Sequence, residues 1–96
     1  MNKEETLKII ESQTAFLESE YHVKNIGVFG SVARGDDTEK SDVDILVEFN
    51  SPIGFFQFIR LENHLSKILE KKVDLISKKA IKPAVKKEIL KEVIYV

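Results

Sequence analysis

The 96-residue chain has no cysteine and no tryptophan, only two prolines and four glycines, and no apolar run of membrane-spanning length. Without cysteine there is neither a disulfide framework nor a thiolate metal site. Without a long apolar run there is no spanning helix. The polar start Met1-Asn2-Lys3-Glu4-Glu5 also lacks the apolar core of a secretory signal. Strong charge of either sign is missing too: 15 basic and 16 acidic side chains leave a net charge of −1. A protein that grips a long nucleic acid by bulk charge is far more basic, so direct nucleic-acid binding is not expected. No repeat, low-complexity tract or linker breaks the chain. The expectation is one cytoplasmic domain over residues 1–96, whose 43% apolar content supports one modest core.

The charge that is present is unevenly placed. Residues 67–96 carry nine lysines against four acidic residues, and residues 1–66 carry six basic residues against twelve acidic ones. A solvated helix face accounts for the lysines; a cationic surface for an acidic partner, RNA or polyphosphate is the sharper alternative.

Periodicity sets out the elements. Asn2 stands three residues before Glu5, as in a capping box, and Leu7, Ile10, Thr14, Leu17 and Tyr21 follow at helical spacing, which predicts one amphipathic helix over 3–19. Val23 to Phe29 reads as a strand in which Gly27 allows another backbone to come close. Gly30 permits a sharp exit, and Ser31 is a suitable N-cap for a short helix stopping at Gly35. In the strand 43–49, Val43, Ile45, Val47 and Phe49 form an apolar face and Asp42, Asp44, Leu46 and Glu48 the other. Residues 55–70 read as a helix whose phenylalanines belong to the core. Val73 to Ser77 reads as a strand, and Lys82-Pro83 opens a last helix with Val85, Ile89 and Val93 as its buried stripe. The β-prone end Ile94-Tyr95-Val96 suits an edge strand or a partner contact. The fold class is α+β: a mixed sheet of three to four strands packed with helices.

Two stretches carry chemistry. Val28-Phe29-Gly30-Ser31-Val32-Ala33-Arg34-Gly35 runs from a strand through a tight turn into a helix start, where unpaired N–H groups suit phosphate. Ser41-Asp42-Val43-Asp44 places two carboxylates on one strand face, a donor set for a hard divalent cation. Asp74, a lone charge inside an apolar strand, has to be exposed or paired; it is either a solvent-facing sheet residue or part of the same carboxylate set, and it would face the same side if the strands are neighbours. Glu48 shares the face of Asp42 and Asp44 but lies farther along, at the rim. Arg34 is either a phosphate contact or the ion-pair partner of Asp36, Asp37 or Asp42. His22 and His64 read as surface or packing residues, and no histidine is placed to activate Ser31 or Ser41 as a nucleophile.

Gly30-Ser31, followed by Asp42-Val43-Asp44 and a later Asp74, resembles the polymerase-β-like nucleotidyltransferase superfamily. The fuller pattern, running from about Ile26 to the closing Lys-Pro…Ile-Leu-Lys-Glu helix, is similar to its minimal nucleotidyltransferases. The resemblance implies that Gly30 and Ser31 bind the triphosphate of ATP and that Asp42 and Asp44 ligate two Mg2+ ions. It implies that Asp74 shares one ion and helps deprotonate the acceptor hydroxyl, and that Arg34 occupies a family position at the nucleotide. It also implies an antitoxin that moves AMP onto a tyrosine hydroxyl of a HEPN-domain ribonuclease toxin. A chain this short leaves no residues for an acceptor-holding domain, so the acceptor is expected from a partner or a second copy, in a hetero- or homo-oligomer. Neutralisation mainly by binding, and transfer to a small molecule or RNA, stay open as alternatives.

Overall fold

The strand Val43–Phe49 (β2) is the spine of the computed structural model, which describes residues 2–96. Its alternation does what period-two patterning requires. Val43, Ile45 and Val47 are fully enclosed in the main core with Ile26, Val28, Leu61, Leu65, Leu69, Val73 and Leu75. Leu46 and Phe29 are also buried but stand outside that cluster, on the other face of the sheet.

The order of elements is α1 (Lys3–Ser12), α2 (Thr14–Tyr21), β1 (Val23–Phe29), α3 (Gly30–Arg34), β2, α4 (Phe55–Leu69), β3 (Val73–Ser77), a 3-10 turn (Lys78–Ala80), α5 (Pro83–Glu92) and β4 (Ile94–Tyr95). The four-stranded sheet has the order β3-β2-β1-β4. β1 runs antiparallel to β2 and to β4, and β2 runs parallel to β3, with α4 as the crossover between them. The expected mixed sheet packed with helices is the observed one. Gly27 lies opposite Tyr95, and a Cβ built on it would stand 2.7 Å from a Val93 methyl, so the close backbone approach expected there is β4. The free edge of β3 is covered by α4 side chains: Val73 N–H donates to Ser66 Oγ (3.0 Å) and Leu75 N–H to Glu62 Oε2 (2.9 Å).

Three expectations change. The single helix over 3–19 is two helices broken at Gln13. The Ser12 hydroxyl donates to the Ile9 carbonyl (2.6 Å) and that of Thr14 to the Glu11 carbonyl (3.0 Å), back-bonding that competes with the helical ladder and bends it. Asn2 does cap α1, its Oδ1 accepting from Glu5 N–H at 2.8 Å. In α4 the core contacts are Leu61, Leu65 and Leu69, while Phe55 and Phe56 are 73% and 76% exposed because the helix first buries a side chain in the core at Leu61. In α5 no residue is buried; Val85 is 45% exposed and Ile89 half-buried, because this helix lies over the polar face of the sheet instead of entering the core. Among the described residues no helix is long and apolar enough to cross a membrane.

Candidate functional site

The turn from β1 into α3 is made by Gly30, at φ 73°. An L side chain there is strained by about 1–2 kcal/mol, so glycine is what the turn requires. The turn comes one residue earlier than Ser31 would cap it. Phe29 precedes the helix without a side-chain cap, and Ser31 falls inside the first turn, lining the cleft. The short helix ends at Gly35, at φ 80°, whose N–H reaches back to the Ser31 and Val32 carbonyls.

Register brings the carboxylates beside this turn. Phe29 pairs with Asp44 across β1 and β2, and a Cβ built at Gly30 would overlap Asp44 Oδ2. Asp44 pairs in turn with Asp74 across the parallel β2 and β3, so the two side chains leave the sheet on one face. Asp42 precedes Asp44 by two residues on that face. It is exposed, with Lys72 Nζ 3.9 Å from its Oδ2. Burial pushes the Asp44 carboxyl up from its ordinary value, and the charges of Asp74 and then Asp42 push it further, against the pull of Arg34. Glu48, on the same face at the far end of β2, accepts from Asn25 Nδ2 at 2.8 Å, which lowers its proton affinity and fixes it as a rim residue.

Arg34 is bound twice. Its Nε lies 3.2 Å from Asp36 Oδ2 and its Nη1 3.0 Å from Glu92 Oε2. The hydrogen bond to Glu92, then that to Asp36, holds its proton more firmly still. Glu92, the last residue of α5, was not visible to sequence reasoning. Its other oxygen accepts the Gly30 N–H at 2.6 Å. No local pattern singles it out, because it lies 58 residues from Arg34 and 62 from Gly30. Phe29, Gly30, Ser31, Arg34, Asp44 and residues of α5 line one open cleft of about 480 Å³. Asp42 and Asp74 stand farther along the same sheet face. Ser41 closes the turn before β2, its Oγ accepting from Thr38 N–H at 2.9 Å. His64 meets Gln13 Oε1 at 3.1 Å beside the ring of Phe16, and so packs α4 against the α1–α2 break.

The donor set suits a hard cation: carboxylate oxygens only, one of them half-buried among like charges. Among the described residues, no three acidic or imidazole side chains stand close enough to hold a metal ion between them.

The family model described as a nucleotidyltransferase domain matches residues 8–96. The chain is 42% identical to the protein adenylyltransferase MntA of Thermococcus cleftensis over 93 residues, 97% of this chain and 94% of that one. A solved structure of a proposed minimal nucleotidyltransferase superposes with a TM-score of 0.81 at 33% identity, covering 98% of this chain and 95% of that one. A chain from a complex of tri-AMPylated Shewanella oneidensis HEPN toxin with MNT antitoxin superposes with a TM-score of 0.69, covering 94% of this chain and 70% of that one. Its 16% identity shows the fold alone.

Proposed function

The chain belongs to the nucleotidyltransferase domain family and carries its polymerase-β-like core; from that premise we propose that it moves AMP from ATP to a hydroxyl of a partner protein in the cytoplasm. The observation that carries this reading is the register pairing of Asp44 with Asp74 on one sheet face, with Gly30 and Arg34 lining the same cleft as Asp44.

On this reading the Gly30 N–H, the Ser31 hydroxyl and Arg34 take the phosphates of ATP, and the Arg34 guanidinium supplies the fork that matches phosphate oxygens. Asp42, Asp44 and Asp74 would hold Mg2+ once the cation and the nucleotide draw the three carboxylates together. Bound there, Mg2+ would supply charge stabilisation for the displacement at phosphorus. Asp74, exposed at the open side, faces the incoming hydroxyl and accepts its proton. The hydroxyl oxygen forms a bond to the α-phosphorus, the bond to the bridging oxygen of the β-phosphate breaks, and pyrophosphate leaves. The negative face holds the nucleotide only with its counter-ions, so ATP alone is a poor ligand and magnesium is required.

The acceptor is a tyrosine hydroxyl of a HEPN-domain toxin, and the chain is its antitoxin. The relative named protein adenylyltransferase and the shared fold with a chain from an AMPylated HEPN–MNT complex support that assignment. The test incubates the chain with a HEPN-domain protein encoded beside it, ATP and magnesium, and reads the partner's intact mass. One or more added AMP units, absent with Asp44→Asn, are expected. An unchanged mass, with neutralisation that survives Asp44→Asn, would instead make this a binding antitoxin.

A further inference from the structure

Glu92 does to the cleft what a phosphate would do. One carboxylate oxygen takes the Gly30 N–H at 2.6 Å, and the other takes Arg34 Nη1 at 3.0 Å. A backbone N–H and a guanidinium converging on one two-oxygen anion form a charge-assisted bridge. These are two of the three groups that the reading above assigns to the triphosphate; the single Gly30 N–H cannot serve Glu92 and ATP at once, and the Arg34 Nη1 donor spent on Glu92 is withdrawn from phosphate. Glu92 also brings a further negative charge to a cleft that already holds Asp44.

The segment carrying Glu92 is firmly held on one side and lightly on the other. After it, Ile94 and Tyr95 pair with Val28 and Gly27, and Val96 N–H donates to the Ile26 carbonyl at 2.9 Å. Before it, α5 buries none of its residues. An element with few buried contacts opens at low cost. The carboxylate can therefore leave the cleft by a shift of α5 or a change of its own rotamer while β4 stays paired.

We propose that Glu92 is an internal substitute for the nucleotide's phosphates. In the nucleotide-free chain it satisfies Gly30 and holds Arg34 in place, and ATP binds by displacing it. Glu92 thereby sets nucleotide affinity: it keeps the cradle organised and makes every binding event a competition. The inference rests on the assignment of Gly30 and Arg34 to phosphate.

The experiment is calorimetric titration of ATP with magnesium into the wild-type chain and its Glu92→Gln, Glu92→Asp and Glu88→Gln variants. Thermal melts check folding, and the 15N-labelled Gly30 amide is followed by NMR. Glu92→Gln removes the charge, whereas Glu92→Asp keeps it but shortens its reach. Both are expected to bind ATP roughly three- to tenfold more tightly, as loss of a partly exposed charge-assisted contact implies. Glu88 lines the same cleft without touching Gly30, and Glu88→Gln should change affinity less than about twofold, as a solvated charge implies. The Gly30 amide resonance should differ between the free wild type and free Glu92→Gln and converge on one position when both are saturated. Unchanged or weaker binding by folded Glu92→Gln and Glu92→Asp overturns the inference and leaves the nucleotide reading intact. Equal tightening by Glu88→Gln overturns it in favour of bulk charge. Failure of ATP to bind any of the four proteins removes the nucleotide reading, and the inference falls with it.

Discussion

Gly30 and Gly35 both sit at positive φ, 73° and 80°, at the two ends of the same short helix, yet replacing them by alanine should have different consequences. At Gly35 a new Cβ meets nothing within 4 Å, so only the left-handed backbone opposes it. That costs about 1–2 kcal/mol. At Gly30 the same backbone cost applies, and the Cβ also overlaps Asp44 Oδ2, with Asp44 Cγ at 3.0 Å and Cβ at 3.2 Å. The carboxylate has to leave its rotamer, a further ~0.5–1.5 kcal/mol, or the turn has to move away from β2. Gly30→Ala should therefore cost about 1.5–3.5 kcal/mol and Gly35→Ala about 1–2 kcal/mol. In a domain of this size, each kcal/mol lowers the melting temperature by roughly 4–8 °C. Scanning calorimetry reads the melting temperature, and AMP transfer to the partner reads the chemistry. Displacing Asp44 by an ångström should cost on the order of 100-fold in rate in Gly30→Ala, whereas Gly35→Ala should stay within a few-fold. Equal melting temperatures for the two variants, or near-normal transfer by Gly30→Ala, would refute the claim that the turn is shaped around the Asp44 carboxylate.

Asp44→Asn should stabilise the magnesium-free chain at neutral pH by a few degrees while abolishing transfer. The Asp44 carboxyl is raised in the folded state by burial and by Asp74 and Asp42, so the folded chain binds its proton more tightly than the unfolded one. Wild-type stability then falls as pH rises through the carboxylate range, and melts from pH ~4 to ~7 should show the asparagine variant gaining over wild type only toward the upper end. Added magnesium should narrow that gap by binding the wild type alone. Glu62→Ala strips the acceptor from the Leu75 N–H at the edge of β3 and should cost about 1–3 kcal/mol in urea unfolding. Phe55→Ser and Phe56→Ser should stay within about 0.5 kcal/mol of wild type, whereas Leu61→Ala, fully enclosed one turn later, should cost about 2–5 kcal/mol by the same measurement.

The strands could be read from the sequence because their alternation is set by burial. Val43, Ile45 and Val47 point one way and Asp42 and Asp44 the other whatever the rest of the chain does. Gly30 was readable because a positive-φ turn admits little else. The break at Gln13 was not, since Leu7, Ile10, Leu17 and Tyr21 keep nearly helical spacing across it. What breaks the helix is local back-bonding by Ser12 and Thr14, which a hydrophobic pattern does not register. The stripe of α5 and the first turn of α4 misled for one reason: periodicity says that a helix has an apolar face, not that the face is covered. For Arg34 the ion pair with Asp36 was legible, being two residues away, and is present at 3.2 Å; its second partner, Glu92, lies 58 residues away and depends on how the last helix returns across the sheet.

The site depends on the core for its geometry. β2 carries the fully enclosed Val43, Ile45 and Val47 on one face and Asp44 on the other, with Asp42 just before it. Each of Val43, Ile45 and Val47 contributes about 1.5–3 kcal/mol by burial. A slip of β2 by one residue would put Asp44 into the core and Ile45 into the cleft. The penalty of burying an unpaired carboxylate adds to the lost apolar burial, so the slipped register is out of reach. The same contacts that stabilise the fold therefore hold Asp44 opposite Phe29 and Asp74, where its repulsion with Asp74 would otherwise push β2 and β3 apart. Core and site are coupled through one strand. Large-to-small changes at Ile45, fully buried on β2 next to Asp44, should accordingly weaken transfer more than an equal loss of stability at Leu17, equally buried but on α2.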